Sequence, residues 1–90
     1  MIPFPDERIE ATLRALQAAC REANIFVTGD SRISENDAAR ILGLHPGSLK
    51  NMRSAGEAPT SYGIGVNGSK ISYRLLDVAC WIERRRDVCN

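Results

Sequence analysis

Between Ser34 and Ile82 nearly every element boundary carries its own chemical mark, and the order of those marks restricts the fold more than any other feature of the chain. Ser34-Glu35-Asn36-Asp37 offers a hydroxyl N-cap with an acidic residue three positions on, near the positive end of a helix. Ala38, Ala39, Ile41 and Leu42 give that helix a compact apolar face. Gly43 closes it, and Leu44 is expected to be the buried residue of the turn. Pro46 suits the first turn of a second helix, where a missing N–H costs nothing. That helix is predicted to run through Leu49 and Met52 to about Ser54, and Ala55-Gly56-Glu57-Ala58-Pro59 stops it.

Beyond this pair, Tyr62–Val66 and Lys70–Tyr73 read as two strands joined around Asn67-Gly68. Asn-Gly is the strongest short hairpin signal, because both residues tolerate the positive φ of a type I′ turn. Gly63 and Gly65 weaken the first strand and suggest a bulge or a close approach to another backbone. A last helix is predicted from Leu76 to about Arg86. Its Leu76, Val78, Trp81 and Ile82 cannot share one narrow stripe, so it is expected to be wedged between other elements. At the other end of the chain, residues 6–23 form a predicted amphipathic helix. Ile9, Leu13, Leu16, Cys20 and Ala23 follow a 4-3-4-3 spacing along one face. That stripe is expected to cover the chain's own core, since fewer than three heptads is short for an independent coiled coil. Ile25-Phe26-Val27-Thr28 is β-prone and reads as a short edge strand or an extended link.

Ninety residues fit one domain, 1–90, with an economical core. At 43% hydrophobic and 26% charged, a soluble fold is the default, and no apolar run approaches the roughly 20 residues of a membrane span. Met1-Ile2-Pro3-Phe4-Pro5-Asp6 lacks the basic start and apolar stretch of a secretion signal, so a cytoplasmic protein is expected. Cys20, Cys80 and Cys89 have no paired ligand spacing. Two helix-packing thiols and one loose C-terminal thiol are expected, with no metal and no disulfide. Net charge is only +1. Its distribution is uneven: residues 1–42 hold five arginines against seven acids, whereas 43–90 hold seven Lys and Arg against four acids. The basic half coincides with the second helix, the hairpin and the last helix, and a nucleic-acid surface needs only such a local footprint.

A short helix, a Gly-containing turn and a second helix with a polar outer face form the usual geometry for entering a DNA major groove. Residues 34–82 resemble the MerR-like helix-turn-helix domain of phage excisionases and related small regulators. The resemblance lies in an ordered set of anchors: Ala38-Ala39, Gly43-Leu44, Leu49 and Met52, Gly56 with Pro59, Asn67-Gly68, Tyr73, and Asp77 ahead of Trp81-Ile82. It implies an α+β, mainly α fold. The core would be a winged helix-turn-helix with a two-stranded hairpin wing, and the N-terminal amphipathic helix an addition. It also implies that the second helix reads double-stranded DNA and the wing touches backbone. On this chain the exposed helix positions would be Gly47, Ser48, Lys50, Asn51, Arg53 and Ser54, and the wing positions Asn67, Ser69 and Lys70. Lys50 and Arg53 suit guanine acceptors or phosphate, and Asn51 suits adenine. The Gly47 and Ser48 amides, at a helix N-terminus, suit a phosphate. Pro46 and Gly47 stand where related proteins place long polar or basic residues, which shifts the expected base reading toward Lys50 and Asn51.

Other residues carry plainer expectations. His45 is expected to cap or pack, since no partner cluster surrounds it. Trp81 and Tyr73 fall at core positions of the resemblance. Asp77 reads as a first-turn helix acid, and Arg84-Arg85-Arg86 as either a backbone contact or a complement to the helix dipole. The glycines from Gly56 to Gly68 match no phosphate-cradling motif, and no catalytic set has local support. No enzyme activity, cofactor, membrane or small-molecule ligand is expected. Specific binding of double-stranded DNA by an excisionase-like or transcription-regulating protein of a phage or mobile element is the reading, with neighbouring copies on adjacent sites. The runner-up is the DNA-recognition small subunit of a phage packaging terminase, which the Ser48-x-x-Asn51 spacing also suits. A third is a protein-interaction module that keeps the fold without binding DNA.

Overall fold

The first helix, α1, spans Phe4–Glu22, in a computed structural model that describes residues 4–86. Asp6 and Glu7 in its first turn and Arg21 in its last complement the helix dipole. Its stripe turns inward as expected: Leu16 and Cys20 are buried, and Ile9, Leu13 and Ala23 pack at the margin of the same core. The chain leaves α1 through Asn24, which takes a left-handed φ of 55°. The Asn24 amide donates to the Arg21 carbonyl and the Ile25 amide to the Cys20 carbonyl. Orphan carbonyls at the helix end are thereby satisfied.

That closure explains why Ile25–Thr28 is not a strand. The Ile25 amide is engaged by the helix, and the Thr28 carbonyl is taken by Ser31 N–H in a tight turn. The strand begins only after the turn, as β1, Arg32–Ser34. It pairs antiparallel with β2, Ser72–Arg74, in the register Arg32 to Arg74, Ile33 to Tyr73 and Ser34 to Ser72.

Ser34 ends β1 and caps α2, Glu35–Leu42, its hydroxyl accepting from Asp37 N–H at 3.1 Å. Gly43 closes α2 at φ 75°, with the same pair of bonds that ends α1. A β-carbon would strain that conformation, which is why glycine stands there. Leu44 is half-buried against the core. The next helix, α3, is Pro46–Ser54, with Pro46 in its first turn. The last, α4, is Leu75–Arg84, which begins and ends earlier than expected. Leu75 is buried, whereas Leu76 points outward.

The hairpin expected over residues 62–73 is reduced to two isolated bridges, Tyr62 with Ser72 and Val66 with Ser69. Asn67 and Gly68 do take the paired positive φ values, 51° and 84°, of a tight reversal. Between the bridges the ladder fails at Gly65, which lies so close to Ser69 that a β-carbon would stand 2.6 Å from its carbonyl oxygen. Ser72 and Tyr73 pair with β1 on their other edge, and Ser72 keeps both backbone hydrogen bonds to Tyr62.

The described residues therefore make a small α+β structure, mainly helical, with four helices and one two-stranded antiparallel sheet. Every helix contributes to one core of Leu16, Cys20, Ile25, Ile33, Ala38, Ala39, Leu49, Tyr73, Leu75, Val78 and Ala79. α4 packs chiefly along α1 and also touches β2, which leads directly into it. No described helix is long and apolar enough to cross a membrane.

Candidate nucleic-acid interface

α3 is seated by Leu49, which is fully buried, with Met52 half-buried on the same side. Ser48, Lys50, Asn51 and Ser54 are exposed. Their spacing along a helix of 3.6 residues per turn makes a polar outer band. Lys50 makes no ion pair within 4.0 Å among the described residues, although its charge helps to hold Glu35 low.

At the N-terminus of α3 His45 takes one of the two roles expected of it, and the amides expected to hold a phosphate do not stay free. His45 is the N-cap, and its Nδ1 accepts from the Gly47 amide at 3.0 Å. The imidazole lies over Gly47, where a β-carbon would come within 3.2 Å of Nδ1. The Ser48 amide donates to the His45 carbonyl at 2.9 Å. Both amides expected to hold a phosphate are thus already engaged within the chain, and Ser48 offers its hydroxyl instead. Gly47 is half-buried under the ring and serves the cap.

Arg53 also departs from the expected outward position. Its Nε donates to Glu35 Oε2 at 2.7 Å and its Nη2 to Oε1 at 3.2 Å. The fully buried Tyr73 donates its hydroxyl to the same Oε2 at 2.8 Å. This clamp joins the start of α2, the end of α3 and β2. Burial pulls the Glu35 carboxyl upward, but the Arg53 and Tyr73 hydrogen bonds outweigh it and hold the group below its ordinary value. The Arg53 guanidinium is raised, first by its bond to Glu35. The Tyr73 phenol is raised by burial, then by its hydrogen bond to Glu35 and the Glu35 charge. Nothing local in the sequence marks this contact, because the two charged partners lie on different helices.

The arm from Tyr62 to Ile71 carries Lys70, exposed and without an ion pair among the described residues. Asn67 is exposed at its tip. Ser69, expected to face outward, is half-buried and donates its hydroxyl to the Ile71 carbonyl at 2.8 Å, which braces the turn. The root of the arm is fixed by buried Ser72, whose hydroxyl donates to the Ile64 carbonyl at 2.7 Å and accepts from Arg32 at 2.9 Å. Tyr62 donates to Asp77 at 3.1 Å and so ties the arm to the first turn of α4. Asp30 receives Arg32, Arg74 and the Thr28 hydroxyl. Arg32 and then Thr28 hold its carboxyl well below the usual carboxylate range. Arg32, Arg53 and Arg74 are therefore paired with acids of the chain itself, whereas Lys50 and Lys70 make no such pair among the described residues.

Trp81 is not the core residue the sequence suggested. It is half-buried at the surface, and its Nε1 donates to the Glu57 carbonyl at 2.9 Å. Cys20 is buried, and burial raises its thiol, with the Asp37 charge adding to that. Cys80 is a half-buried free thiol, and Cys89 lies outside the described residues. No group of three or more His, Cys, Asp or Glu stands together among the described residues in a way that would hold a metal. Compared with family models and with curated proteins, the sequence matches none of them.

Proposed function

We propose that the chain is a small winged helix-turn-helix protein that binds specific double-stranded DNA. In this reading it acts in the cytoplasm as an excisionase-like protein or transcription regulator of a phage or mobile element. α2 and α3 form the helix-turn-helix, and the arm closed by Asn67-Gly68 is the wing. The observation that carries the reading is the seating of α3. A cap at one end, a charged clamp at the other and Leu49 beneath hold it rigidly, while Ser48, Lys50, Asn51 and Ser54 stay outward. A recognition element needs that combination of a fixed backbone and free polar side chains. Lys50 and Asn51 are the base readers, with Ser48 and Ser54 beside them on phosphate or base edges. Asn67 and Lys70 meet backbone from the wing. So few side chains make few base contacts, and neighbouring copies on adjacent sites supply the rest of the affinity.

Selection of a binding site from random duplexes identifies the DNA, and two substitutions then test the face. Lys50→Ala and Asn51→Ala should each weaken specific binding by about 1–3 kcal/mol while thermal stability stays near that of the parent. Equal loss of stability and affinity in both variants would place them in the core and sink the assignment.

The wing gives a different signature. Lys70→Ala should weaken all duplexes alike and lower the slope of log affinity against log salt by roughly one unit, as loss of one phosphate contact does. An unchanged slope would show that the arm does not touch DNA. No salt-dependent binding to any duplex would favour a protein-interaction module with this fold.

A further inference from the structure

The corner where α4 meets the exit of α3 holds a second arrangement that the DNA-reading face does not include. The Trp81–Glu57 bond ties the last turn of α4 to the residue just past Gly56, where α3 is closed. One turn further on, the Arg85 guanidinium lies over the Trp81 ring, 4.9 Å from its centroid. Arg84 and Arg86 are exposed beside it and have no ion pair among the described residues. The neighbouring acid is engaged by α1: Glu83 accepts from Thr12 at 2.7 Å and pairs with Arg8 at 3.6 Å, although it lines the same groove as Arg85 and Arg86.

A cation over an aromatic face is held by the ring's quadrupole, and that contact consumes none of its N–H donors. Arg85 is therefore oriented yet keeps a fork that matches the oxygens of a phosphate. We propose that the arginine end of α4, led by Arg85 on Trp81, is a second anchor for the phosphodiester backbone of duplex DNA, flanking α3 at its exit. The proposal rests on the reading of α3 as the DNA-facing helix. Glu57 has an exposed side chain at the same corner, and its carboxylate opposes a phosphate there.

The test is equilibrium binding of the full chain to mixed-sequence duplex DNA across a salt series, with thermal melting of each variant. Arg85→Ala should lower the salt slope by about one unit, and Arg84→Ala combined with Arg86→Ala by up to about two. Arg85→Lys keeps the charge and should retain the slope. Glu57→Gln should bind tighter, and Arg14→Ala, an exposed change on α1, should bind as the parent does. If the arginine variants keep the parental slope and affinity while Lys50→Ala still weakens binding, the anchor is overturned and the α3 reading stands. Melting temperatures that fall in the arginine variants without any change of slope would mark the cluster as a helix-dipole complement, which also overturns it. A parent protein with no salt-dependent binding to the duplex overturns both.

Discussion

Leu16→Ala is expected to lower stability by about 2–5 kcal/mol, the usual cost of truncating a buried leucine. Leu16 is 7% exposed in the middle of the α1 stripe, and α1 packs chiefly along α4. Typical domains are stable by only about 5–15 kcal/mol, so the loss takes a large share of the total. Because the stripe packs on the chain's own core, the melting temperature should fall by the same amount at every protein concentration. A dimer seam behaves differently, since association and folding are then linked by mass action. Melting over a range of concentrations, with sedimentation of parent and variant, separates the two. A parental dimer that becomes a well-folded monomer in the variant would show that α1 is an interface.

Glu35→Gln is the second large effect, because it removes the charge at the centre of the clamp. Hydrogen bonds to charged groups contribute about 1.5–3 kcal/mol, and a loss of that size is expected at neutral pH. The parent should lose this contribution in acid. Glu35 is held below its ordinary value in the folded chain. Its stabilisation is therefore complete above the unfolded value of about 4.3 and fades as pH falls through the folded one. The Gln variant lacks that increment, so the two stability curves should converge as the pH falls below the unfolded value and through the lowered folded one. Asp30 is also held low, so acid still destabilises the variant and only the difference between the curves reports on Glu35. Parallel curves down to the acid limit would mean that the Glu35 charge contributes nothing to the clamp. Arg53→Ala provides the companion measurement. It should reduce both melting temperature and DNA affinity without lowering the salt slope, whereas a phosphate-contacting Arg53 would lower the slope and leave melting unchanged.

Where an element's signal is local, the sequence alone determined it. The Ser34 cap and the Gly43 stop act within four residues of themselves, as do Pro46 at the start of α3 and the Asn67-Gly68 reversal. The α1 stripe repeats often enough along one helix to declare its buried face. His45 was legible as a cap because its chain neighbours supply the donor. Lys50, Asn51 and Lys70 are exposed, where the resemblance placed them, whereas Gly47, Arg53 and Ser69 from the same set are half-buried. The tertiary structure decided the rest. A three-residue strand has no periodicity of its own, so β1 exists only because Ser72–Arg74 lies beside it, while Ser72 also keeps its bridge to Tyr62 on the other edge. The partners of Arg53 and Trp81 are likewise remote in sequence, one at the start of α2 and one past the end of α3. Whether a cation is an outward contact or an internal clamp depends on which acid folding brings within about 3 Å of it, and that distance has no trace in composition or spacing.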